Sequence, residues 1–284
     1  MARLFILLQW LVPQQALSRL VGWLARSRAP WIAGPFIRWF ARHYEVDMTE
    51  AAEPGLAAYT SFNDFFTRAL APDARPLDPE PGAILCPADG AISQIGDITG
   101  GSVFQAKGRY FSAENLLADV ERADAFHNGH FATIYLSPKD YHRVHMPLAG
   151  KLVAQTYIPG DLFSVNPTTA NHVDSLFARN ERLVCYFDTA AGPMAMVLVG
   201  AMIVAGISTV WGGQVAPPLK QPVTTDFTRT PAPVSLERGE EMGRFMLGST
   251  VILLLPEGSV SWDDRFREGA ATRMGARLGM LTAS

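Results

Sequence analysis

Four side chains in this sequence have the chemistry needed to activate a serine, and they lie far apart along the chain. Ser249 follows Gly248 at the mouth of the apolar run Val251-Ile252-Leu253-Leu254-Leu255. His142 and His145 stand three apart in SPKDYHRVHMP, and Asp89 sits in PADG. A carboxylate, an imidazole and a hydroxyl are the usual set for making a serine nucleophilic, and histidine is the side chain that exchanges protons near neutral pH. Each motif also has a plain structural reading. Gly-Ser is a common loop-to-strand junction and Asp-Gly a common turn. Two histidines three apart could ligate a metal from a helix, but no third histidine or carboxylate cluster accompanies them, so no metal is expected.

The elements that must position these residues change character along the chain. Residues 1–70 read as helical, with Pro30 and Pro35 breaking the region into short helices and Asn63-Asp64-Phe65-Phe66 resembling a helix start. Residues 71–82, rich in Pro and Asp, read as a linker, so that 71–284 forms the catalytic unit with its linker. From Ile84 onward short apolar runs alternate with Gly, Pro, Asn and Asp, the pattern of a β-rich domain, with one helix expected near Ser112–Asp119. The stretch from Pro217 to Glu241 reads as a long exposed loop leading to Ser249. The fold class from these patterns is α+β: helices first, then mostly strands.

Composition narrows the function. A length of 284 residues with 48% hydrophobic residues gives a sizeable core and excludes a disordered chain. A formal net charge of -3 offers no basic field for nucleic acid. Cys86 and Cys185 lie in apolar runs and read as buried thiols, which favours a reducing, cytoplasmic compartment. The first acidic residue is Glu45, and before it come Arg3, Arg19, Arg26, Arg28, Arg38 and Arg42 together with Trp10, Trp23, Trp31 and Trp39. Arginine and tryptophan without acids suit helices lying in a membrane interface. The longest uncharged run, Leu4 to Ser18, is too short to span and is interrupted by Gln9, Gln14 and Gln15; no small-x-small site follows it. The alternative is that these helices pack on the protein's own core.

Taken together, PADGAISQIG, SPKDYHRVHMP, PGDLFSVNP, LFARNERLV, VLVGAMIVAGI and FMLGSTVILLLPEG resemble the phosphatidylserine decarboxylase proenzyme family, in its bacterial, pyruvoyl-dependent, prokaryotic type I-like form. The likeness covers nearly the whole chain. It implies self-cleavage between Gly248 and Ser249, giving a β chain 1–248 and an α chain 249–284 that stay together as a heterodimer. It implies a charge relay of Asp89, His145 and Ser249 for the cut, a pyruvoyl cofactor made from Ser249 that forms a Schiff base with the substrate, and a decarboxylation role for His142. The substrate implied is phosphatidylserine, converted to phosphatidylethanolamine and carbon dioxide, on the cytoplasmic side of the inner membrane and peripheral to it, against anionic lipid. The fold implied for the β-rich core resembles a duplicated barrel-sandwich of the biotinyl/lipoyl kind, and higher homo-oligomers are compatible with it. Leu162–Pro167 is expected to shape the pocket or to serve as a structural loop. Three rivals remain open: a soluble pyruvoyl-dependent amino-acid decarboxylase, a non-catalytic carrier module, for which GAMIVAGI lacks the exposed lysine, and a serine hydrolase, for which Ser249 lacks the G-x-S-x-G elbow.

Overall fold

The computed structural model describes residues 2–202, 206–215, 220–246 and 249–282. Its helices are concentrated at the N-terminus: α1 (Ala2–Leu11), α2 (Gln14–Arg26), α3 (Pro30–His43) and α4 (Phe62–Phe66). Pro30 opens α3 at its first turn, where a missing N–H costs nothing. Pro35 was expected to break the chain, yet α3 runs through it. The residue before a proline is normally crowded out of the helical region by the proline ring. Here that residue is Gly34, which has no Cβ to clash. Ser61 caps α4, its Oγ accepting the Asp64 N–H at 3.1 Å. Ser112 does the same for Ala113–Leu117, the helix expected in that region.

The rest is predominantly β, so the class is α+β. A nine-stranded sheet holds the main strands, Gly90–Asp97, His130–Leu136, Gly150–Ile158, Arg182–Thr189, Gly192–Val199 and Ser249–Leu255. Smaller sheets of four, three and two strands flank it. The Ser249–Leu255 strand lies inside the main sheet, antiparallel to 130–136 on one side and to 192–199 on the other. Every one of its seven residues is buried. Side chains alternate across a strand. Val251, Leu253 and Leu255 accordingly enter one apolar core with Ala88, Val144 and Phe245, while Ile252 and Leu254 enter the opposite one with Phe163 and Phe177. This double burial explains why the run is continuously apolar rather than alternating.

A third cluster joins the helices to the sheets: Ile37 and Phe40 of α3 pack on Phe62, Phe65 and Phe66 of α4, and Met246 packs against them. The stretch expected as a loop from Pro217 to Glu241 contains two short strands in its described part. Val223–Asp226 and Ser235–Leu236 both pair with Gly150–Ile158 as edge pieces. Their Pro- and Thr-rich sequence hides this, because an exposed edge strand needs no apolar alternation.

Leu253 is fully buried between two neighbouring strands. Leu253→Ala should destabilise the chain by about 2–5 kcal/mol, read by urea unfolding of a Ser249→Ala background. A loss under 1 kcal/mol would contradict the central placement of this strand.

Candidate active site

Ser249 is the first residue of its strand, and its ladder partner is Leu136. From Leu136 the chain turns through Ser137–Tyr141 to His142, whose carbonyl accepts the Phe245 N–H at 3.0 Å. From there Arg143–His145 pairs antiparallel with Glu241–Phe245. Two ladders therefore flank a gap. On one side the segment 137–141 links the two ladders. Gly248 lies outside the described residues, but Ser249 closes one end of the gap. By strand alternation its side chain takes the same face as Val251, the face that also holds Ala88 and Val144. Ser249 is fully buried, and its Oγ has no hydrogen-bond partner. A buried hydroxyl left so costs about 1–3 kcal/mol, which makes Ser249 a candidate for chemistry.

His142 is fully buried and its ring lies 4.0 Å from that of Phe66, centroid to centroid. Its Nδ1 is 2.8 Å from the Asp140 carbonyl. A carbonyl only accepts, so Nδ1 carries the proton and Nε2 keeps a lone pair, with no partner. Burial holds the ring far below its ordinary value, at about 3, so it stays neutral. His145 follows the same logic. Its Nδ1 donates to the Gly239 carbonyl at 2.8 Å, and its Nε2 accepts from the Tyr141 hydroxyl at 3.0 Å. Burial lowers His145 as well, and raises Tyr141 to about 12, so the phenol keeps its proton.

Asp89 is held by other hands. Arg75 grips it through Nε, at 3.0 and 3.1 Å to the two carboxylate oxygens, and through Nη2 at 2.5 Å. The Met274 N–H donates to Asp89 Oδ1 at 2.8 Å. Arg75 also reaches Glu50 at 2.6 Å, and Arg273 pairs with Glu50. Burial pulls the Arg75 guanidinium down, but its bonds to Asp89 and Glu50 outweigh this and raise it. Gly90 is required beside Asp89: its φ is +155°, and a Cβ would fall 2.2 Å from the Tyr135 carbonyl oxygen.

The hydrogen-bond partners of His145 and Asp89 differ from those the relay implied. Neither nitrogen of His145 bonds Asp89 among the described residues; the Gly239 carbonyl orients the ring and Arg75 orients the carboxylate. Sequence reasoning missed Arg75, in the linker, and Tyr141, which sits inside the motif between Asp140 and His142. It also missed Arg68, whose Nη2 donates to the Lys139 carbonyl at 3.1 Å, and Arg143, whose Nε donates to the Thr67 carbonyl at 2.9 Å. With Phe66, these tie α4 and the two residues after it to the histidine segment. No group of three or more metal-ligating side chains occurs among the described residues. Cys86 and Cys185 are buried and unpaired, with burial pushing the Cys86 thiol up to about 12.

Leu162–Pro167 receives α1 and the first residue of α2. Gln14 Oε1 accepts the Leu162 N–H at 2.7 Å, the buried Gln9 Oε1 accepts the Ser164 N–H at 2.8 Å, and Trp10 meets Phe163 edge-on at 4.8 Å. The glutamines that interrupt the apolar N-terminal run are therefore docking contacts. Val165 and Pro167 line an apolar cavity of about 270 Å³ with Ile92 and Tyr135.

A profile of phosphatidylserine decarboxylase matches residues 62–280, and a second profile, designated PSD, matches residues 4–45. The chain belongs to the phosphatidylserine decarboxylase family. It is 58% identical over 281 residues to the phosphatidylserine decarboxylase proenzyme of Pseudomonas putida strain W619, covering 98% of each chain. It is 58% identical over 279 residues to the proenzyme of Ectopseudomonas mendocina strain ymp, again covering 98% of each. The Alcanivorax borkumensis proenzyme is 56% identical over 282 residues, covering 99% of this chain and 97% of its own.

A histidine buried neutral makes stability fall in acid. The folded-state value of His142 is depressed, so its contribution is present above the unfolded value near 6.5 and is lost as pH falls toward about 3. Between pH 7.5 and 5.5 the Ser249→Ala protein should lose about 1.4 kcal/mol more stability than the same protein carrying His142→Gln. Urea titrations at the two pH values measure this, and an equal loss in both would contradict a neutral buried His142.

Proposed function

We propose that this chain is a self-processing phosphatidylserine decarboxylase that makes its own pyruvoyl group from Ser249. The observation that carries the reading is the buried Ser249 Oγ, without a hydrogen-bond partner among the described residues, at the head of a central strand. In the cut, Ser249 Oγ attacks the Gly248 carbonyl carbon. The C–O bond forms, the C–N bond breaks, and the proton of the hydroxyl ends on the serine nitrogen. Loss of the α-proton then expels the Gly248 carboxylate from Cβ, leaving dehydroalanine. Its imine tautomer takes up water and releases ammonia, leaving a ketone at the new chain end. The residues present fit such a group: the position is dry, and no neighbouring side chain competes for it with a hydrogen bond.

His145 is the base we assign to the cut, with Asp89 its electrostatic support. The carbonyl of Gly239 keeps the His145 Nε2 lone pair unprotonated, and the Tyr141 hydroxyl is the donor that must yield it. When formed, the pyruvoyl group supplies an electron sink for the decarboxylation of the serine headgroup. His142 holds a bare Nε2 inside the protein, suited to deliver or retain a proton at the substrate α-carbon. Phe66 excludes water from its ring.

The small chain 249–284 stays docked in this reading. Its first strand fills the main sheet, Ala271–Thr272 pairs with Gly90 and Ala91, and Met274 bonds Asp89. We also read the β core as a duplicated barrel-sandwich; what supports it is a strand flanked by antiparallel neighbours with an apolar core on each face.

The N-terminal helices attach the enzyme to an anionic membrane surface from the cytoplasmic side. What supports this is that Trp10, Trp23, Trp31 and Trp39 are exposed, with Leu4, Leu7, Leu8 and Leu11, while Ala25, Ile37 and Phe40 pack inward. No single described helix is long and apolar enough to cross a membrane; α1 and α2 meet the test only as a pair bent by 84°.

Ser249→Ala should remain one chain on a denaturing gel and show no decarboxylation, whereas the wild type should run as two. Two chains from Ser249→Ala would refute the cleavage assignment. Separately, Trp23→Ser with Trp31→Ser should weaken co-sedimentation with phosphatidylserine-containing vesicles about tenfold or more. Unchanged pelleting would contradict interfacial attachment.

A further inference from the structure

We propose that the polar cavity beside Asp89 seats the phosphodiester of the substrate headgroup, with Arg68 as the cation that holds it. This rests on the decarboxylase reading above and adds a residue that recognises the lipid. The cavity has a volume of about 190 Å³, room for about six waters or a phosphodiester with its ester oxygens. Arg68 lines it with Lys139, Asp140, Tyr141 and Asp89.

Arg68 is only 5% exposed, and its Nε has no hydrogen-bond partner. Its protein contacts are a bond from Nη2 to the Lys139 carbonyl and the face of Phe65, 5.7 Å away. It forms no ion pair among the described residues, although carboxylates surround the cavity. Those carboxylates are engaged elsewhere. Asp89 and Glu50 are held by Arg75. Asp140 accepts from the Ser137 N–H at 2.6 Å and from its hydroxyl at 2.7 Å. Asp47 accepts from the Thr49 N–H at 2.8 Å, and Glu45 stands exposed at the rim. A buried guanidinium with no anion and an unused N–H is costly to keep unless an anion arrives. Burial lowers Arg68 from its usual value and outweighs the opposing pull of Tyr59, Asp89, Asp140 and Asp47, none of which forms an ion pair with it among the described residues.

The headgroup offers two anions. An arginine bonded to the carboxylate would stabilise the ground state of the very group whose charge must leave, and so would oppose the reaction. A phosphodiester keeps its single negative charge throughout, so binding it does not penalise the transition state. Guanidinium also matches phosphate oxygens in a forked geometry. The position suits a lipid. One wall, Asp140-Tyr141, directly precedes His142 and belongs to the turn that bridges the gap at Ser249. The rim residues Glu45 and Asp47 directly follow α3, whose Trp31 and Trp39 are exposed.

The test uses processed protein and two probes. Glycerophosphocholine carries a phosphodiester and no primary amine; its binding is read by calorimetry. Ethanolamine carries the amine and no phosphate; its reductive attachment to the new chain end is read by mass. Arg68→Gln should weaken glycerophosphocholine binding at least about tenfold more than it slows ethanolamine attachment, the loss of one charge-assisted bond. Arg68→Lys should recover part of the binding. Equal loss in both assays would make Arg68 a support for the His142 turn only. Unchanged glycerophosphocholine binding, or none by the wild type, would also overturn the proposal. Failure of the wild type to attach ethanolamine would count against the pyruvoyl reading instead, since the calorimetric arm does not need that group.

Discussion

A serine hydroxyl sealed in a protein interior without a hydrogen bond is an unfavourable arrangement, and the rest of this fold is what holds Ser249 in it. The strand it begins is buried on both faces and laddered on both sides, so the residue cannot slide to water without dismantling the main sheet. Thr250 Oγ1 and His142 Nε2 are similarly unsatisfied nearby.

The N-terminal helices are part of that site as well as a surface. Through Phe40, Phe62 and Phe66 a run of aromatic contacts leads from α3 to the His142 ring, while Met246, three residues before Ser249, packs into the same cluster. Arg143 and Arg68 fasten the histidine segment to the residues that end α4. The helices whose outer face exposes Trp23, Trp31 and Trp39 therefore pack, on their inner face, against the segment that carries His142. On the opposite flank, Arg75 joins Glu50, which follows the helices, to Asp89 and thereby to the turn carrying Met274.

Much of this was legible in the sequence because it depends on local pattern. The double-faced burial of Val251–Leu255 shows as an unbroken apolar run, and the helix start at Asn63-Asp64-Phe65-Phe66 and the helix near Ser112–Asp119 show in their local pattern. The grouping of Asp89, His142, His145 and Ser249 came from resemblance and is one that spacing alone does not supply. What stayed hidden depends on tertiary contact. Arg75 looks like a linker charge until Asp89 is found within its reach. Gln9 and Gln14 look like interruptions of an apolar helix until the Leu162–Pro167 backbone is seen to need their oxygens. Pro35 signals a break that Gly34 relieves. The partners of His145 were invisible for the same reason: Gly239 reaches it through a backbone carbonyl, and no side-chain pattern encodes a carbonyl's position.

The central claim is that Ser249 gives up its hydroxyl and its nitrogen to become a ketone at a new chain end. Intact mass measurement of the purified wild-type protein tests it most directly. The claim predicts two species, the smaller of them lighter than the fragment 249–284 by one ammonia and reactive toward hydroxylamine. A single full-length mass in active protein, or a small chain retaining an N-terminal serine amine, would contradict it.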